Sequence, residues 1–160
     1  MIERVFTIGV YGKSEAEFFG SLIQAQIQTF CDIRRQRGVR GAQYAFVNSK
    51  RLQRELAARG IEYRHFQELS PTRTIRDAQK KADAEKQQLK RTRTALDEEF
   101  QHRYTEEVLA GFDSTRFAAE FGPQVSRIAL FCVEGEPAAC HRGLLAARLQ
   151  KDWDVPVEHL

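Results

Sequence analysis

The chain has 160 residues, 42% of them apolar and 10% aromatic, with a formal net charge of +3 at neutral pH. That length suits one domain with a sizeable core, and so small a charge does not by itself imply nucleic-acid binding. No apolar run approaches the ~20 residues needed to cross a bilayer, so a membrane protein is not expected.

A strand-like segment starts a few residues after Met1, where a secretory signal does not fit. VFTIGV (5–10) reads as a buried strand. Ser14 and Glu17 form an S-x-x-E capping box, and Phe18, Phe19, Leu22 and Ile23 give the helix that follows one apolar face. IQTFCDI (27–33) is a second strand, closed by the polar run RRQRGVRGAQ. NSKRLQRELAARG predicts a helix with Leu52 and Leu56 on one face and Gly60 at its C-terminal cap. IEYRHF (61–66) is a third strand, and Phe112, Phe117 and Phe121 mark a short helix stopped by Gly122-Pro123. RIALFCV (127–133) is a fourth strand, ACHRGLLAARLQ a helix, and VPVEHL a final strand. Strands alternating with helices predict an α/β fold. The expectation is one domain over residues 1–160, with a mostly parallel Rossmann-like sheet and helices on both faces.

Residues 70–111 differ in character, being rich in Lys, Arg, Gln and Glu. Ile75, Ala82, Leu89 and Leu96 recur every seven residues, and Phe100 joins them one turn later. This predicts a long charged helical excursion with a narrow apolar seam, packed on the body or paired with a second copy as a homodimer. A solvated helical face and a basic arm for nucleic acid are the other readings of such a pattern.

In an open parallel sheet, ligands sit beyond the carboxyl ends of the strands. Gly9, Tyr11, Gly12 and Ser14 follow the first strand; Asp32, Arg34 and Arg35 follow the second. His65 and Glu68 follow the third, and Glu134, Cys140, His141 and Arg142 the fourth. GVYGKS resembles a phosphate loop, but the motif needs a glycine where Thr7 stands. It is therefore either an anion contact at the Ser14 helix start or a tight turn with an ordinary cap. In CDIRR, Arg34 either forks onto an anionic ligand or holds Asp32 in a structural ion pair.

The stretch CVEGEPAACHR (132–142) offers more than one chemistry. Pro137 suits a first helical turn, which places Cys140 about one turn inside the helix. There the positive helix end would favour its thiolate, and His141 or His65 could accept its proton. The alternative is a packed thiol beside a hydrogen-bonded core histidine. Cys132, Cys140, His141 and His65 are zinc-like donors, but the eight-residue step between the cysteines is no recognised finger spacing, so no metal is assigned. The phosphatase loop C-x5-R fails, because Ala138 and Ala146 occupy the arginine positions. Cys31, Cys132 and Cys140 form no close-spaced pair and leave one over, which predicts reduced thiols and a cytoplasmic location.

TIG before a short loop and Ser14, the strand-end CDIR, GIEYRHFQEL, CVEGEPAACHR and the final VEHL together resemble a bacterial family, domain of unknown function 488. The C-x-E-x-x-P-x-x-C-H-R spacing is the specific part. The resemblance implies a small cytosolic α/β domain with motif positions at Gly9, Ser14, Asp32, Arg34, His65, Glu68, Cys132, Glu134, Cys140, His141 and Arg142. It implies no cofactor and no particular chemistry. YGKS and the long charged helix depart from the family pattern.

The resulting expectation is an anionic ligand, a nucleotide or nucleic-acid end, bound beyond the strands. Gly9, Ser14, Asp32, Arg34 and Arg142 would form the binding set. His65, Cys140, His141, Glu68 and Glu134 would be the catalytic set for hydrolase or transferase chemistry. The alternative is a non-enzymatic binding or assembly module acting through residues 70–111.

Overall fold

The computed structural model describes residues 1–160. Five strands, β1 (Arg4–Ile8), β2 (Thr29–Asp32), β3 (Glu62–His65), β4 (Arg127–Phe131) and β5 (Val157–His159), form one sheet in the order β3-β2-β4-β1-β5. Every pairing is parallel, so the expected mostly parallel sheet is entirely so. Six helices accompany it: α1 (Glu15–Gln24), α2 (Ser49–Ala57), α3 (Arg73–Glu85), α4 (Glu98–Tyr104), α5 (Ser114–Ala119) and α6 (His141–Trp153).

Local chemistry accounts for the boundaries. The Ser14 hydroxyl accepts from the Glu17 amide while Glu17 reaches back to the Ser14 amide, so the capping box is formed. Gly60, at φ +70°, takes the left-handed position that ends α2. Phe18 of α1 packs against Phe30, Phe46 and Phe131, which fills the space over the sheet on the α1–α2 face.

Handedness sets the rest. From β1 the chain crosses to β2, then steps outward to β3; from β4 it crosses the other way to β5. Right-handed crossovers running in opposite directions must use opposite faces. The loop leaving β4 therefore diverges from those leaving its neighbours β1 and β2, which opens a crevice at that edge.

The segment 70–111 is not one helix. α3 ends at Glu85, where the Gln87 and Gln88 amides donate to the carbonyls of Ala84 and Asp83 and Gln87 adopts φ +51°. This is a Schellman stop with glutamine in the left-handed position. An irregular stretch with a short 3-10 turn (Lys90–Thr92) leads to α4, and a π-helical turn (Thr105–Leu109) extends α4. Ile75, Ala82, Leu96 and Phe100 are buried as the seam predicts, whereas Leu89 is 71% exposed. The break in the helix rotates Leu89 off the seam.

Candidate functional site

A cavity of about 500 Å³ opens at the carboxyl edge beside β1, β2 and β4. Its floor comes from the β4 end and the α6 start: Cys132, Glu134, Cys140 and His141. One wall is the loop after β2, including Arg34, Arg35 and Arg40. The opposite wall is the 70–111 segment, contributing Arg76, Lys80, Lys90, Arg91 and Arg93.

Eight arginine and lysine side chains thus line the cavity against two carboxylates, Asp83 and Glu134. Both carboxylates are already paired. Arg93, itself buried, bonds Asp83 at 2.7 Å, Glu134 at 3.3 Å and the Ala139 carbonyl at 3.0 Å. Lys90 lies 3.6 Å from Glu134. Burial alone would raise the Glu134 pKa, but Lys90, His141 and hydrogen bonds from the thiols outweigh it and bring it down to about 2. The side chain of Arg76 makes no ion pair or hydrogen bond, and its buried Nε has no protein partner. The buried Nη1 of Arg34 is also without one.

At the floor, Cys140 is the N-cap of α6, because Pro137–Ala139 forms a separate 3-10 turn. It therefore stands at the helix end, and not one turn inside as the proline suggests. Its Sγ is 3.7 Å from Nδ1 of His141. Nε2 of that ring donates to the Ile33 carbonyl at 3.1 Å. Burial lowers the His141 pKa, but the Cys132 sulfur, Glu134 and the Ile33 carbonyl raise it further, and the net direction is up. The Cys132 thiol donates to Glu134 Oε2 at 3.2 Å, and hydrogen bonding with Cys140, then burial, push its pKa well up. Tyr104 lies beside His141, with ring centroids 5.4 Å apart and the planes tilted by 59°.

A family model described as domain of unknown function DUF488 matches residues 14–149. The chain belongs to the DUF488 family. Neither a curated protein nor a solved structure matches it. In this DUF488 domain Cys132, Glu134, Cys140 and His141 of the C-x-E-x-x-P-x-x-C-H-R stretch form the cavity floor.

The other expected site residues divide. Arg34 lines the cavity and grips Asp32 through Nε (2.9 Å) and Nη2 (2.8 Å), which is the structural ion pair that CDIRR allowed. Asp32, fully buried, also accepts from Tyr63 at 2.9 Å; it is a structural partner and does not line the cavity. Burial first, helped by Asp32, pushes the Tyr63 hydroxyl up to about 12.

Arg142 is buried and turned away from the cavity lining; its guanidinium holds the main-chain carbonyls of Glu134 and Gly135. Gly9 sits against that same Glu134 carbonyl, which accounts for its lack of a side chain. Ser14 is an exposed cap, and Gly12 donates to the Tyr44 hydroxyl in a tight turn. His65 donates to the Arg34 carbonyl at 2.7 Å, and Glu68 is exposed on a 3-10 turn; neither lines the cavity. The arginines and lysines of 70–111 were the residues missed as a wall. Their only sequence signal was the basic excess that a solvated helix shares.

Proposed function

We propose that this domain binds a phosphorylated small molecule of nucleotide size in the basic cavity, and that the Cys140–His141 floor acts on it. The observation that carries this reading is the charge of the lining. Eight cationic side chains face two carboxylates that are already neutralised by Arg93 and Lys90, and Arg34 Nη1 and the Arg76 side chain have no protein partner. A buried guanidinium nitrogen without an acceptor is costly, and an anionic oxygen would satisfy it. The volume, about 500 Å³, lies within the range of small-molecule sites.

Arg91 lies over the rings of Tyr11 and Tyr44, at 5.4 and 5.5 Å from their centroids, and supplies a planar cationic layer at the rim. Such a layer favours a ligand that carries an aromatic base as well as a phosphate. The His141 imidazole and the Cys140 thiol then face the bound anion as acid–base and nucleophile candidates, which fits hydrolase or transferase chemistry.

Thermal unfolding with millimolar inorganic phosphate, pyrophosphate and nucleoside monophosphates tests this. A ligand present at 100 times its Kd adds about 2.7 kcal/mol of stability. A rise in Tm that is larger for the nucleotides than for phosphate is expected. No rise with any of them, at low salt, would remove the reading.

A further inference from the structure

We propose that Cys132, Cys140 and His141 form a site for one divalent transition-metal ion of the zinc type at the floor of the cavity. Their three donor atoms, two Sγ and one imidazole nitrogen, lie within 4.8 Å of one another, and all three residues are buried. Tetrahedral zinc with bonds of about 2.3 Å to sulfur and about 2.0 Å to nitrogen needs neighbouring donors about 3.5–3.8 Å apart. The Cys140–His141 separation of 3.7 Å already has that value. Bringing in the Cys132 sulfur takes a side-chain movement of about an ångström, which a χ1 adjustment supplies.

The surroundings are those of a metal site. A ligating histidine typically donates its second ring N–H to a carbonyl or carboxylate, which fixes the ring. Here Nε2 of His141 donates to the Ile33 carbonyl, and Nδ1 is left facing the thiol. Glu134 Oε2 accepts the Cys132 thiol proton at 3.2 Å; metal binding removes that proton, and Arg93 and Lys90 on Glu134 offset its charge beside the thiolate. The loop between the cysteines is held firmly: Arg142 grips its carbonyls and Gly9 closes against it. Two sulfurs and an imidazole select zinc-type ions over magnesium or calcium.

The charge balances. A divalent ion entering with the imidazole neutral displaces one proton from each thiol, giving a neutral centre and two protons in solvent. Because all three residues line the cavity, the fourth coordination position faces it, the arrangement of an open and not a closed zinc site. The eight-residue step that matches no finger spacing is closed in space by the turn from β4 into α6.

The test uses the full chain, reduced and freed of metal by chelation, titrated with cobalt(II) and no anionic ligand. One equivalent should produce a thiolate-to-cobalt band in the near ultraviolet and intense tetrahedral bands in the visible, both bleached by one equivalent of zinc. Cys132→Ser, Cys140→Ser and His141→Gln should each weaken binding by at least about tenfold, while Cys31→Ser keeps the spectrum. X-ray absorption at the zinc edge of the wild type should count two sulfurs, which decides the matter even where a variant fails to fold. A wild-type spectrum without the sulfur–cobalt band, or a zinc environment without sulfur, would overturn the proposal. The probe is the metal alone, so its failure leaves the anion reading standing, and a failed anion titration leaves the metal site intact. A bound metal would take Cys140 and His141 as ligands in place of their nucleophile and acid–base roles, while the cationic walls keep theirs.

Discussion

Gly9 and Glu134 touch through their backbones: a methyl group on the Gly9 α-carbon would overlap the Glu134 carbonyl oxygen. Arg142 grips that same oxygen from the α6 side. The β1 exit and the β4 exit are thereby locked together beneath the cavity. Gly9→Ala forces backbone apart in a packed interior, where relief by a flexible side chain is not available. A loss of about 3 kcal/mol in urea unfolding is expected. A loss below about 0.5 kcal/mol would show that the two loops are not tightly joined.

Asp32 and Arg34 form a buried two-point ion pair, with Tyr63 adding a hydrogen bond to the carboxylate. Asp32→Asn keeps the shape and removes the charge, leaving Arg34 buried without its partner. Breaking such a pair typically costs about 3–5 kcal/mol. Tyr63→Phe removes the bond to Asp32, together with the longer one accepted from Arg37 at 3.4 Å, and should cost about 1.5–3 kcal/mol. Denaturant midpoints in that order, Asp32→Asn lowest, check the assignment of Asp32 as structural.

Arg93 and Leu89 lie four residues apart and should behave oppositely. Arg93 joins Asp83, Glu134 and the Ala139 carbonyl, while Leu89 is 71% exposed. Arg93→Ala should lower stability by about 3 kcal/mol or more and increase proteolysis within 86–97. Leu89→Ala should change stability by less than about 0.5 kcal/mol. Equal effects at the two positions would mean that the charged segment is not fastened through Arg93.

His159 on β5 takes part in a hydrogen bond with Thr7, with Nδ1 and Oγ1 2.7 Å apart. Burial, and then the charge of Arg142, lower its pKa below the ordinary 6.5. The unfolded chain therefore takes up this proton at a higher pH than the folded one. The stability contribution is present above about pH 6.5 and is lost as pH falls through the folded value. His159→Gln should flatten the fall in Tm between about pH 7.5 and 5. A wild-type-minus-variant difference that stays constant over this range would contradict the assignment.

The strands were legible because each is a short apolar run bounded by turn chemistry, and Ser14 with Glu17 announced α1. CDIRR carried its ion pair two residues apart, in Asp32 and Arg34. The cavity wall was not legible. The α3 stop places glutamine, not glycine, in the left-handed position, and the seven-residue recurrence runs on through Leu89 as though the helix continued. Arg93 reaches the floor, and Arg76 the wall, only through long-range packing, which no local spacing records. Arg142 misled for the opposite reason: a charged residue beside Cys140 and His141 reads as a ligand contact, yet its donors satisfy loop carbonyls that only the folded chain brings to it.

Titration calorimetry of a nucleoside monophosphate into wild-type protein and into Arg76→Ala, at low salt and with chelator present, addresses the basic cavity most directly. The Arg76 side chain has no partner in the protein, so removing it should not lower stability. The account predicts saturable one-to-one binding by the wild type that weakens at least about tenfold in the variant, the loss of one charge-assisted bond. Equal heats in the two proteins, or none in the wild type, would contradict it.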